Sequence, residues 1–261
     1  MKHHEAAIAR FVSLAENDAD TVAVVVAGSV ARGEERADSD VDLYVVVTAD
    51  AYARAAQADR LMYVSDRDVD YPGGYFDVKV ISRELLDHAV EQADDPMRAS
   101  LKGARIVFSR IPELQDLVAR IANSTDVDWD ARVASFLAQA RLHGGYFFEQ
   151  GVAHGDPMLT AHAAVHLAFA AARALLADAH VLFAGPKYLR DAVAALPGIP
   201  RTFTDDLTEL VTRQTTDAAR RVLAELESRL GERLEADATL TTFIRDNELA
   251  WFTRVPPPEY Q

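Results

Sequence analysis

Gly28-Ser29-Val30-Ala31-Arg32-Gly33-Glu34-Glu35-Arg36-Ala37-Asp38-Ser39-Asp40-Val41-Asp42-Leu43 is the stretch that decides how this chain reads. It lies between two apolar runs, Thr21 to Ala27 and Leu43 to Val47, each of which reads as a buried strand. A Gly-Ser pair directly after a strand lets the backbone turn sharply and offer amide N–H groups to an anion. Asp40 and Asp42 are two residues apart where the second run opens, so their side chains share a face. Two carboxylates held side by side repel unless a cation sits between them, and hard oxygen ligands of this kind suit Mg²⁺ carrying a nucleoside triphosphate. A solvated surface turn does not explain why the acids alternate with Val41 and run straight into a buried strand, where unpaired charge is costly.

The order strand, Gly28-Ser29, Arg32-Gly33, Ser39-Asp40-Val41-Asp42-Leu43, strand resembles the signature of the DNA polymerase β-like nucleotidyltransferase superfamily. Neither dipeptide is informative alone; their joint occurrence at this spacing carries the resemblance. The resemblance implies an α+β fold with a small mixed sheet, Mg²⁺ at Asp40 and Asp42, and ATP or another nucleoside triphosphate as co-substrate. It places Gly28, Ser29, Arg32 and Ser39 around the nucleotide. It also implies a third carboxylate from a later strand. Tyr75 to Ile81 alternates and contains a single acid, Asp77, which is therefore the candidate, either as a metal ligand or as the general base for the incoming hydroxyl. Lys79 falls on the same face and is open to pairing with Asp77, to contact with phosphate, or to solvent. Arg32 is open to phosphate contact or to neutralising Asp38 or Asp40.

The chain has 261 residues, 49% of them hydrophobic, enough for a sizeable core in one or two domains. The absence of cysteine excludes disulfides and thiolate metal sites. No apolar run is expected to approach a membrane span, no signal-peptide hydrophobic region follows Met1-Lys2-His3-His4-Glu5, and the expected location is cytoplasmic. A net charge of −14 argues against a nucleic-acid partner, whose affinity comes from clustered Lys and Arg, and favours a cationic small molecule. Lysine is scarce, at Lys2, Lys79, Lys102 and Lys187 only, so a lysine in a motif-like place is informative.

Helical spacing predicts a helix over residues 4–16, and Asp50 to Asp59 is helical in character. Arg60 to Val64 is a further strand candidate, and Pro72-Gly73-Gly74 is a turn into the Asp77 strand. Ser82 caps a helix, residues 105–109 form the last strand, and Pro112 begins the next helix. The polar stretch Asn123 to Asp128 marks a boundary, giving a catalytic domain over 1–122 and an all-helical bundle over 123–261. Helices are expected over residues 129–150, 157–182, 186–196, 203–214, 216–234 and 236–252, with an extended Pro256-Pro257-Pro258 tail.

This arrangement resembles the antibiotic-modifying nucleotidyltransferases that act on aminoglycosides and lincosamides. The resemblance implies that the helical half holds the acceptor, with Glu149 a candidate general base. It implies that Gly185-Pro186-Lys187-Tyr188-Leu189 supplies a phosphate contact, Lys187, and a nucleotide wall, Tyr188. His162 and His166, four apart on one helix face, are expected as partly buried or cleft-lining residues, because no third ligand follows in a recognisable pattern. The expected reaction is transfer of AMP from ATP to an acceptor hydroxyl with release of pyrophosphate. The alternatives are a protein-adenylylating relative of the antitoxin type and a nucleotide sensor without chemistry. A homodimer in which a second copy completes the site, as in some relatives, stays open.

Overall fold

Thr21–Val26, Val41–Val47 and Phe76–Ser82 are runs in which β-branched and aromatic residues dominate, and they become the three central strands of a five-stranded mixed sheet. The computed structural model describes residues 1–123 and 127–260 and divides the chain into two compact units, Met1–Asp126 and Val127–Gln261. In chain order the first unit contains α1 (Lys2–Glu16), β1 (Thr21–Val26), α2 (Gly28–Arg32), β2 (Val41–Val47), α3 (Ala49–Gln57), β3 (Met62–Ser65) and β4 (Phe76–Ser82). It continues with α4 (Arg83–Gln92), α5 (Asp95–Leu101), β5 (Arg105–Ser109) and α6 (Leu114–Ala122). The strand order is β3-β4-β2-β1-β5, with β2 and β4 parallel and the other neighbours antiparallel.

Strand alternation divides the apolar side chains between two faces. Val24, Val26, Leu43, Val45 and Val78 pack with Ala7 and Ile8 of α1 on one face. Val25, Tyr44, Val46 and Ile81 pack with Leu86, Leu101, Leu117 and Ile121 of α4, α5 and α6 on the other. Asp42, two residues before Tyr44, and Asp77, four before Ile81, lie on this second face, toward the starts of their strands. Each fully buried Val or Leu contributes about 1.5–3 kcal/mol relative to an exposed one, which fixes the register on which the site depends.

Ser82 caps α4 as expected, its Oγ accepting from Leu85 N–H at 3.1 Å. Two starts differ from expectation. α6 begins at Leu114 behind Glu113 as N-cap, two residues beyond Pro112, because Ile111 to Glu113 first make a turn. α5 is an additional helix, capped by Asp94, which accepts from Met97 N–H at 2.9 Å.

The second unit is helical: α7 (Trp129–Leu142), a π-helical segment His143–Phe147, α8 (Phe148–His154), α9 (Pro157–Asp178), α10 (Pro186–Ala194), α11 (Arg201–Arg213), α12 (Thr216–Leu230), α13 (Thr239–Phe243) and α14 (Ala250–Thr253). α9 ends at Asp178, short of Leu182, because His180 turns left-handed at φ 54° and closes a Schellman motif, with Val181 N–H on the Leu176 carbonyl at 2.8 Å. The helix expected over 236–252 is broken: Asp246 is drawn to Ser135 of α7, and Ile244–Glu248 opens to π geometry, with Leu249 N–H on the Ile244 carbonyl at 2.9 Å. The tail is not extended throughout, since Pro258–Tyr260 forms a 3₁₀ turn with Pro258 buried and the Glu259 carbonyl held by Arg173 at 3.0 Å. Residues 124–126 of the expected boundary lie outside the described residues.

One expectation about apolar runs is corrected by α9, whose 22 residues are long and apolar enough to cross a membrane, with a mean hydropathy of 1.4. In the structure 67% of that stretch is buried inside the protein, as in the core helix of a bundle. Replacing Ser82 should test how α4 is positioned: Ser82→Ala should lower stability by about 1 kcal/mol and Ser82→Gly by only a few tenths, read as urea midpoints by far-UV circular dichroism. Equal losses would show that packing, not capping, sets this helix start.

Candidate active site

The parallel ladder between β2 and β4 pairs Asp42 with Asp77 and, one rung further on the same face, Tyr44 with Lys79. Asp40 precedes β2 by one residue, and its carboxylate reaches the same place: one oxygen from each of Asp40, Asp42 and Asp77 lies within 4.8 Å of the others. Two unit charges about 4 Å apart repel by roughly 4 kcal/mol at a dielectric of about 20, so three carboxylates at this separation make a favourable place for a cation. Asp77 Oδ1 is buried and accepts no hydrogen bond, an arrangement that suits a metal ligand and is costly otherwise. All donors are carboxylate oxygens, the set that hard divalent cations take.

Gly28 makes this geometry possible. It has φ +65°, and a Cβ there would lie 1.9 Å from Asp42 Oδ2. Both the backbone and the carboxylate therefore exclude a side chain. Ala27 N–H donates to the Asp42 carbonyl at 2.9 Å, tying the turn to β2. The expected sharp turn is the start of the five-residue helix α2, where Gly28 and Ser29 form the first turn, whose N–H groups have no intrahelical acceptor.

The approach to Asp40 is braced by residues that sequence reasoning passed over. The Ser39 carbonyl accepts from Tyr71 OH at 3.0 Å and from His4 Nε2 at 3.1 Å. Burial is the main cause that lowers the pKa of His4, and since a carbonyl can only accept, Nε2 carries the proton in this contact. Tyr71 is packed under Gly74, where a Cβ would come 2.1 Å from Tyr71 Cε2. The charge of the Asp40 carboxylate is the main cause that raises the pKa of the Tyr75 phenol, with smaller contributions from burial and from Asp77 and Asp42. The available signal was the aromatic pair flanking Pro72-Gly73-Gly74, legible only once β4 is known to pair with β2.

Other expected residues are placed differently. Ser39 Oγ accepts from Arg36 N–H at 2.9 Å. Arg32 pairs with Glu34 at 2.7 Å and not with Asp38 or Asp40, because Glu34 lies just beyond the left-handed Gly33 cap of α2. Lys79 Nζ stands 3.8 Å from Asp77 Oδ1. In the second unit, Glu149 is exposed in the first turn of α8, and Lys187 and Tyr188 are exposed at the start of α10, with Lys187 Nζ 5.5 Å from the Tyr188 ring centroid.

His162 and His166 lie beside a third ring that chain order does not announce. His143, at the start of the π segment, lies 4.7 Å from His166 and 5.5 Å from His162 between ring centroids, with His162 and His166 4.2 Å apart. His166 is half-buried, as expected, whereas His162, in the second turn of α9 and ahead of its continuously buried stretch, is exposed. The rings pack against one another; among the described residues, the group whose ligand atoms gather as a metal site is Asp40, Asp42 and Asp77. Burial first, then the charges of His166 and His162, push His143 down to about 3.

Residues 9–95, which include α2 and all three aspartates, match the family described as nucleotidyltransferase domain. The first unit therefore carries a nucleotidyltransferase domain, built as a mixed five-stranded sheet and followed by a helical region. No curated protein matches the chain. A solved nucleotidyltransferase-like protein from Exiguobacterium sibiricum 255-15 is similar to it at 13% identity and a TM-score of 0.45, over 94% of this chain and 80% of that one.

Two measurements follow. Gly28→Ala should displace the Asp42 carboxylate and weaken Mn²⁺ binding at least about tenfold while far-UV circular dichroism stays near wild type; unchanged Mn²⁺ affinity would show that the turn does not set the carboxylate. His143 has a folded pKa below its ordinary 6.5, so the unfolded chain binds the extra proton and stability falls as pH drops from about 6.5 toward 3. The urea midpoint should decline between about pH 7 and 5, and His143→Gln should flatten that decline; parallel slopes would mean the ring is not held neutral by burial.

Proposed function

We propose that the chain is an adenylyltransferase that moves AMP from ATP to a hydroxyl of a small cationic acceptor and releases pyrophosphate, of the type acting on aminoglycosides or lincosamides. The observation that supports this most directly is the gathering of Asp40, Asp42 and Asp77 within 4.8 Å on a nucleotidyltransferase domain. These three residues would hold a divalent cation such as Mg²⁺, which when bound offsets charge on the phosphates of the nucleotide.

The protein's own groups do the rest by positioning and charge placement. The first-turn amides of α2 and Ser29 orient the β and γ phosphates, with Arg32 and Ser39 as further candidates for nucleotide contact. In the second unit, Lys187 and Tyr188 are the candidates for a phosphate contact and a wall for the base. The acceptor oxygen forms a bond to the α-phosphorus, the α–β bridging bond breaks, and pyrophosphate leaves with the electron pair. The hydroxyl proton passes to Asp77 or to Glu149. A net charge of −14 favours a cationic acceptor over nucleic acid, in a cytoplasmic setting where ATP is available, with a second copy of the chain open as the partner that completes the site.

Labelled ATP or GTP, Mg²⁺ and a panel of aminoglycosides, lincosamides and candidate proteins test the reading. Pyrophosphate release should depend on one antibiotic class, and Asp42→Ala should reduce it at least about a thousandfold with the fold intact. Transfer to protein alone would favour the antitoxin-like alternative, tight nucleotide binding without release would favour a sensor, and full activity in Asp42→Ala would overturn the assignment.

A further inference from the structure

Lys79 forms an ion pair with Asp77 that is not tightened by a hydrogen bond, and it is the exposed partner of the two. Its ammonium is 3.8 Å from Asp77 Oδ1 and 5.5 Å from the Tyr44 ring centroid, so it stands between a carboxylate and an aromatic face without a hydrogen bond to the carboxylate. Tyr44 cannot move to follow it. The ring is 7% exposed, and its hydroxyl lies 2.8 Å from Ser100 Oγ, which itself donates to the Met97 carbonyl at 2.8 Å. The lysine side chain, by contrast, is 44% exposed and rides on a flexible stem. It is also one of only four lysines in the chain. A compact ammonium with rotatable donors can change partners in a way that the rigid fork of an arginine cannot.

We propose that Lys79 is an exchangeable counter-cation. It offsets the charge of Asp77 while the three carboxylates hold no divalent ion, and it turns to the polyphosphate oxygens of a nucleoside triphosphate once a divalent ion takes Asp77. The inference rests on the metal-dependent reading above and adds a sign to it: the lysine competes with the metal and cooperates with the nucleotide. Three carboxylates within 4.8 Å supply the reason, since leaving them with no nearby cation would be costly, and a cation fixed there permanently would exclude the metal.

The test uses the full chain and two readouts besides turnover. Mn²⁺ binding is measured by electron paramagnetic resonance without nucleotide, and a non-hydrolysable ATP analogue is titrated calorimetrically with Mn²⁺ present. Lys79→Met should bind Mn²⁺ roughly two- to fivefold more tightly than wild type and the analogue about tenfold more weakly. Lys79→Arg, which keeps the charge, should leave Mn²⁺ affinity near wild type and recover analogue binding only in part. Unchanged or weaker Mn²⁺ binding in Lys79→Met would overturn the exchange, even if analogue binding fell. A wild-type chain that binds no Mn²⁺ would overturn the metal-dependent reading and the exchange with it.

Discussion

The parallel pairing of β2 with β4 is the constraint on which the first unit depends. It sets Asp42 level with Asp77, two like charges on adjacent strands, and it does so because the apolar residues on both faces of those strands allow no other register. A slip of one residue would turn Leu43 and Val78 outward and carry the carboxylates into the core beside α1. Hydrophobic packing over most of the sheet thus holds an electrostatically unfavourable arrangement at its end. Such preorganised carboxylates are the arrangement that could hold a cation.

Around that pair the structure removes obstacles more than it adds contacts. Gly28 contributes by having no side chain, which leaves the Asp42 carboxylate its space. Tyr71 and His4 hold the Ser39 carbonyl, which braces the backbone just before Asp40. Lys79, beside Asp77 and over Tyr44, is the charged group of the cluster with the most freedom, and that freedom suits an exchange of partners.

Much of this was legible in the chain because the signals are local. Gly-Ser after a strand, acids alternating with Val41, and one acid in the Tyr75–Ile81 pattern each report the conformation of a few consecutive residues, and local periodicity determines that conformation. Readings that needed distant partners fared less well. Arg32 found Glu34 in place of the aspartates, α9 stopped at a left-handed histidine where no glycine announced it, and residues 236–252 broke because Asp246 answers to Ser135, far away in sequence. The third histidine of the bundle escaped notice for the same reason, coming from a different helix.

By itself the sequence determined the class of fold, the strands that carry the acids and the three aspartates concerned, since these follow from alternation and turn chemistry within short segments. Only the tertiary structure decided that β2 and β4 run parallel in a register that puts Asp42 beside Asp77, that Gly28 is emptied for a carboxylate, and that Tyr44 and Lys79 stand one rung away. Those facts depend on which strands become neighbours, and neighbours are chosen by the burial of whole faces, a property that no short stretch of sequence contains.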